Sequence, residues 1–141
     1  MQNNQVFKRK AFHYISKFFV VAAFSFSLWV DLTYGSRELF PGYNVVMAGM
    51  IILALAMGIW EVNNPLVVVE NNHLTLNLSL IFMGRKNIHL DQVKSVNLNS
   101  RKTMMTLSDN EGKDLRIPLN VIQGAANKDR LIDLVNEKVD A

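Results

Sequence analysis

The longest clearly apolar stretch of the chain runs from Phe40 to Trp60, and it carries no formal charge. A helix of that length extends about 32 Å, which matches a bilayer hydrocarbon core of roughly 30 Å. A soluble helix of the same length would carry a polar stripe toward water, whereas apolar side chains surround this one on every side. The pattern predicts a membrane span over about residues 41–60.

A second apolar stretch lies upstream, at residues 18–30. Extending it back to Phe12 gives enough length for a span. The extension admits His13 and Lys17, and the ammonium group of a lysine in the first turns of a helix can reach the interface. We therefore predict another span over about residues 12–31.

The alternative for this stretch is a cleaved secretory signal. A basic cluster at residues 8–10 precedes the apolar run, and residues 25–27 loosely resemble a cleavage site. The run continues through residues 28–30 instead of ending at small residues, which favours a retained span.

Charge predicts the orientation. Residues 1–60 carry five Lys or Arg and two acidic residues, whereas residues 61–141 carry ten of each. Because positive residues that flank a span stay in the cytoplasm, the N-terminus and the C-terminal domain are both expected there. The neutral C-terminal domain argues against a nucleic-acid partner. The absence of cysteine excludes disulfides and thiolate metal sites.

After Pro65 the apolar positions recur with a period of two, which predicts short antiparallel strands. Asn71-Asn72 and residues 109–112 supply turn signals between them. About six strands are expected, around residues 66–70, 74–80, 88–90, 96–98, 105–107 and 115–119.

The chain closes with an amphipathic pattern over residues 128–139, for which Asn127 is the expected N-cap. The apolar face of this helix would plug one open end of a curved sheet. That face consists of Leu131, Leu134, Val135 and Val139, with Ile132 at its margin.

Together these patterns predict an α+β membrane protein. Residues 1–62 form an N-terminal transmembrane α-helical hairpin, and residues 63–141 form a small antiparallel β-sheet or barrel capped by a C-terminal helix. The lipid bilayer is thus the first expected partner.

The order of elements resembles a known family. Four segments look like parts of a bacterial pleckstrin-homology-like (PH-like) domain: PLVVVENNHLTLN, FMGRKNIHLDQVKSVNLNS, TMMTLSDNEGKDLRIPL and DRLIDLVNEKV. The motif at residues 88–96 is the most similar part. The resemblance implies seven strands where the pattern predicts about six, so one strand is either missing or lies near Arg101. It also implies an integral protein of the bacterial cytoplasmic (inner) membrane. Eukaryotic pleckstrin-homology domains bind inositol phosphates with Lys or Arg in the first strand–strand loop. Asn71-Asn72 stands there in this chain, so that activity is not implied.

Candidate chemistry is sparse. The histidines at 13, 73 and 89 have no spacing typical of a metal site, and Asp109 and Glu111 lie in a turn where Asp holds the backbone. No phosphate loop or nucleophile motif is present. We expect no catalytic residues, no metal, no cofactor and no enzymatic activity.

Two kinds of contact site remain. The basic pairs Arg85-Lys86 and Arg101-Lys102 could contact anionic headgroups or a partner, with ordinary solvated turns as the alternative. Small residues spaced four apart predict close packing of the two spans, with homodimerisation through the membrane helices as the alternative. These residues are Ala23 and Ser27 in the first span and Ala54 and Gly58 in the second.

Two classes of function follow. The first is a membrane-anchored, non-catalytic interaction module whose cytoplasmic domain binds a protein, a peptide or a lipid headgroup at the inner membrane face. The second is a small regulatory or immunity-type membrane protein, such as a toxin-protection protein or a transporter-associated subunit, in which the hairpin is the working part.

Overall fold

The computed structural model describes residues 4–35, 41–80 and 84–140. The chain forms two compact units. Residues 11–63 form one, and the other combines the N-terminal ten residues with the chain from Asn64 onward. The domains predicted from the sequence placed residues 1–62 together in the membrane hairpin. The structure differs in that the first ten residues belong to the unit that contains the sheets.

The first unit is a hairpin of two helices, α1 (Ala11–Tyr34) and α2 (Tyr43–Asn63). Both are long and apolar enough to cross a membrane. No residue of α1 is buried, and in α2 only Met47 and Gly58 are. Large apolar side chains such as Phe19 and Ile52 are therefore exposed, as expected of helices whose surroundings are lipid.

The second unit contains two small antiparallel sheets and a C-terminal helix. The four-stranded sheet has the order β1-β2-β3-β4, and the three-stranded sheet has the order β5-β6-β7. Their bounds are β1 Gln5–Phe7, β2 Val67–Glu70, β3 His73–Ser79, β4 Gly84–His89, β5 Val93–Leu98, β6 Met104–Asp109 and β7 Asp114–Pro118, followed by α3 at Ala125–Asp140.

The seventh strand is β1, which precedes the hairpin and pairs with β2, which follows it. Of the two alternatives for this strand, neither holds: it is present, and it does not lie near Arg101, which is in the turn between β5 and β6. Beyond β1 the chain stays extended, and Arg9 forms a β-bridge with Ile122. The N-terminal segment therefore joins the four-stranded sheet to the chain that follows β7.

The core follows the period-two pattern of the strands. Alternate residues point inward, and Phe7 of β1 is among them at 3 % exposure. The turn between β2 and β3 uses two asparagines with positive φ, 48° at Asn71 and 63° at Asn72, which suits a two-residue hairpin. The fully buried positions include Val67, Leu74, Leu76, Met105, Leu107 and Ile117.

Helix α3 contributes Leu131, Ile132 and Val135 to this core. Ile132 is thus buried, not marginal. The helix begins at Ala125, so the expectation of Asn127 as N-cap is wrong. Gly124, at φ 85°, makes the turn into the helix, and the Asn127 side-chain amide donates to the Gln123 carbonyl at 2.9 Å.

Candidate interaction surfaces

The chain segments that flank the hairpin meet at a buried arginine. Arg9 is only 5 % exposed. Its guanidinium donates to the carbonyl of Asn64 at 2.8 Å and to that of Leu78 at 3.1 Å, and also to the carbonyl of Asn77. A guanidinium offers five N–H donors in a fixed fork, which suits a cluster of carbonyls. Arg9 therefore fastens the segment before α1 to the segment after α2 and to β3.

Asn77 extends this junction. It is 2 % exposed, and its side-chain amide donates to the Pro65 carbonyl at 2.8 Å. Its side-chain oxygen accepts from Nε of Arg85 at 3.1 Å. The polar atoms of a buried asparagine need partners, and here one partner follows the hairpin and the other belongs to β4.

The basic cluster at residues 8–10 thus divides into two roles. Lys8 and Lys10 are exposed, whereas Arg9 is a structural residue. The sequence interpretation took all three as topological charge. In an extended chain, successive side chains point to opposite faces, so Arg9 points away from Lys8 and Lys10. This alternation was the one signal that could have distinguished Arg9 from the two lysines.

The basic pairs predicted to make contacts lie in different elements, one in a strand and the other in a turn. Arg85 and Lys86 belong to β4, where they oppose Asn77 and Leu76 respectively and so point to opposite faces. Arg101 and Lys102 are exposed in the β5–β6 turn.

The small residues of the hairpin are also distributed unevenly. Gly58 is buried, and a Cβ at this position would lie 3.1 Å from Cζ of Phe18. Ala54 and Ser27 are half-buried, whereas Ala23 is exposed. Gly58 packs against an aromatic ring, a contact that small-residue spacing alone does not predict.

An ion pair lies within the hairpin. Nζ of Lys17 is 2.8 Å from Oε2 of Glu61, and the Glu61 side chain is 8 % exposed. The same ammonium group donates to the His13 carbonyl at 2.8 Å. Charges removed from water need such partners.

The carboxylates of the β6–β7 turn have local partners. Asp109 accepts hydrogen bonds at 2.8 Å from the backbone N–H groups of Glu111 and Lys113. Glu111 accepts from Nζ of Lys113 at 2.6 Å, and this contact raises the pKa of Lys113. Both carboxylates therefore make their hydrogen bonds within the β6–β7 turn.

Strand β4 is an edge of the four-stranded sheet within the described residues. The N–H of Leu90 donates to the carbonyl of Asn72 at 2.7 Å, which marks the opposed residues 73 and 89 as a non-hydrogen-bonded pair. Two residues earlier, Asn87 opposes Thr75 in the same way. The backbone N–H and C=O of Asn87 consequently point away from β3, toward the outer side of the edge.

A groove of about 440 Å³ lies beside this edge. The start of β7 forms its other wall. Ile88 and Leu115 supply its apolar lining, and Lys86 and Asp114 supply charges of both signs.

No protein-family model matches this chain, and no curated protein or solved structure matches it.

Proposed function

We propose that this protein is a membrane-anchored, non-catalytic interaction module with a PH-like domain. Seven strands arranged four plus three, followed by a C-terminal helix, support the PH-like assignment. In this arrangement the membrane hairpin is an insertion between the first and second strands. The first strand–strand connection is then the whole hairpin with Lys8 and Lys10, and Asn71-Asn72 belongs to the next turn.

The observation that carries the proposal is the pairing of β1 with β2. Two strands of one sheet lie on the same side of a bilayer, so both ends of a spanning hairpin must emerge on that side. Lys8, Lys10 and Lys17 favour the cytoplasm as this side. Cleavage near Ser27 would remove β1, Phe7 and Arg9 from the domain, which argues against a secretory signal.

The interaction mode that we propose is strand addition. An extended peptide segment would pair with the outward backbone groups of β4 and place an apolar side chain against Ile88 and Leu115. Main-chain hydrogen bonds supply affinity in this mode, and pockets for alternate side chains supply specificity.

Proline at the edge tests this mode in the full chain. Asn87→Pro removes the outward N–H without removing a β3–β4 hydrogen bond, whereas Asn87→Ala keeps the N–H. A photoreactive residue at Lys86 should form an adduct with a protein partner in the Asn87→Ala background and lose it in the Asn87→Pro background. Circular dichroism should show that the sheet persists in both Asn87 variants.

The control is the same photoreactive residue at Glu137, which is exposed on α3 and lines a groove with Gln5 of β1, at the other end of the four-stranded sheet from β4. An adduct that survives Asn87→Pro, or the same adduct from Glu137, would overturn strand addition at β4.

The second candidate function makes the hairpin the working part, as in an immunity-type or transporter-associated protein. The Lys17–Glu61 ion pair favours it, because charged residues in membrane helices often serve function. Replacing residues 11–63 by an unrelated two-span hairpin distinguishes the two. The module retains its partner adduct after the exchange, whereas a working hairpin loses its biological activity.

A further inference from the structure

Two histidines far apart in sequence meet on the four-stranded sheet. His73 of β3 lies directly opposite His89 of β4, and their ring centroids are 3.7 Å apart with a 50° tilt. Both residues are exposed. The sequence interpretation treated them separately, because only the β3–β4 register brings them together.

The backbone favours this closeness. The pair is non-hydrogen-bonded, as the Leu90–Asn72 hydrogen bond shows, and side chains are closest at such positions in an antiparallel ladder. The sheet thus holds two imidazoles side by side without a contribution from a flexible loop. The backbone therefore needs no rearrangement when a ligand joins the two rings, and only side-chain rotamer freedom is lost.

The surrounding row of the sheet is polar and includes an anion. Glu70 of β2 opposes His73, so its side chain projects from the same face. Oε1 of Glu70 accepts a hydrogen bond from the Asn4 side chain at 3.2 Å. A carboxylate near the imidazoles lowers the electrostatic cost of bringing a cation to this face.

Imidazole nitrogen is a preferred ligand of Zn²⁺, Cu²⁺ and Ni²⁺, whereas Mg²⁺ and Ca²⁺ prefer oxygen. Across residues 4–35, 41–80 and 84–140, no three His, Cys, Asp or Glu side chains gather closely enough to hold a metal. Two imidazoles can therefore supply only part of a coordination sphere, and water would complete it. Such a site is open and exchangeable, unlike a closed structural zinc site.

We propose that His73 and His89 form a two-imidazole binding site for a transition-metal dication of the Zn²⁺ class on the outer face of the four-stranded sheet. This site is independent of the proposed strand addition.

The test uses the full chain in nanodiscs, purified with a tag that contains no histidine. Zn²⁺ is titrated by calorimetry into the unsubstituted protein and into His73→Asn, His89→Asn and His13→Asn. The last is a matched control, because His13 is the remaining histidine and lies in α1. We expect binding of a single ion, weakened at least about tenfold by either sheet variant and unchanged by His13→Asn.

Nuclear magnetic resonance provides a readout that does not depend on how the variants fold. Zn²⁺ should shift the ring resonances of His73 and His89 together in the unsubstituted protein and leave those of His13 in place. Absence of binding up to about 1 mM Zn²⁺ would overturn the proposal. Zn²⁺ affinity equal to that of the unsubstituted protein in either sheet variant, or a shift confined to one ring, would overturn it as well.

Discussion

The guanidinium of Arg9 donates a hydrogen bond to the carbonyl of Asn64 at 2.8 Å, across 55 positions of sequence. One residue comes just before the hairpin and the other just after it. The contact therefore closes the base of a large insertion within the β-sheet unit.

Removing the Arg9 side chain should destabilise the sheet unit. Arg9→Met would leave the carbonyls of Asn64, Asn77 and Leu78 without these donors and should lower the free energy of unfolding by about 2–4 kcal/mol. Urea titration in mild detergent, followed by circular dichroism, measures the change. Lys10→Met is the control, because its exposed side chain should contribute less than about 0.5 kcal/mol. Equal stability of both variants would contradict a structural role for Arg9.

Without the hairpin, the sheet unit should fold if β1 is present and should not fold if β1 is absent. A shortened chain in which a Gly-Ser linker connects residues 1–10 to residues 64–141 (the joined protein) should give a dispersed amide spectrum by nuclear magnetic resonance. Residues 64–141 alone should aggregate, because the edge of β2 is then unpaired and the site of Phe7 is empty.

Phe7→Ala in the joined protein also tests whether β1 contributes to the folded sheet unit, and it removes one side chain instead of the whole strand. The change should cost about 3–5 kcal/mol, since Phe7 is buried in the core. If residues 64–141 alone proved as stable as the joined protein, β1 would not belong to the folded domain.

Gly58 should tolerate a larger side chain poorly. Gly58→Leu would collide with the Phe18 ring and should destabilise the hairpin by about 1–3 kcal/mol, measured by thermal unfolding in detergent. Gly49→Leu in the same helix is the matched control, because a Cβ there meets nothing within 4 Å. Adding Phe18→Ala to Gly58→Leu should recover much of the loss. No recovery would place the clash elsewhere.

Cysteine labelling should find both ends of the hairpin on one side of the membrane. The chain has no cysteine of its own, so single replacements are clean. Asn4→Cys and Asn110→Cys should resist an impermeant maleimide in intact cells and react after permeabilisation. Ser36→Cys, which lies outside the described residues, should react in intact cells.

Different maleimide labelling at positions 4 and 110 would contradict the pairing of β1 with β2 in the protein as it is inserted in cells. Labelling of both from outside, with protection at 36, would instead mean an inverted hairpin.

Local periodicity was sufficient for most of this fold. The two apolar helices, six strands and α3 each carry their pattern within a short window of sequence, so each could be predicted. Strand β1 could not, because three residues beside a basic cluster show no clear alternation. Its existence depends on a partner strand beyond the hairpin.

The candidate sites show the same limit. Gly58 and the basic pairs were visible as residue types, but the contact of Gly58 with Phe18 and the opposite faces of Arg85 and Lys86 depend on tertiary packing and strand register. Likewise, Arg9 looked like a topological charge because its carbonyl partners come from distant segments. Every residue has a backbone carbonyl, so the sequence does not show which carbonyls accept hydrogen bonds from Arg9.

The pairing of β1 with β2 also sets an order of events during synthesis. The first strand leaves the ribosome before either helix, and its partner follows only when both helices have been made. If one span failed to insert, β1 and β2 would be held on opposite sides of the bilayer, and the sheet could not close. In the proposed topology, the domain can thus be completed only when the hairpin is correctly inserted, and a wrongly inserted chain would expose an open strand edge to the proteases and chaperones that remove such products.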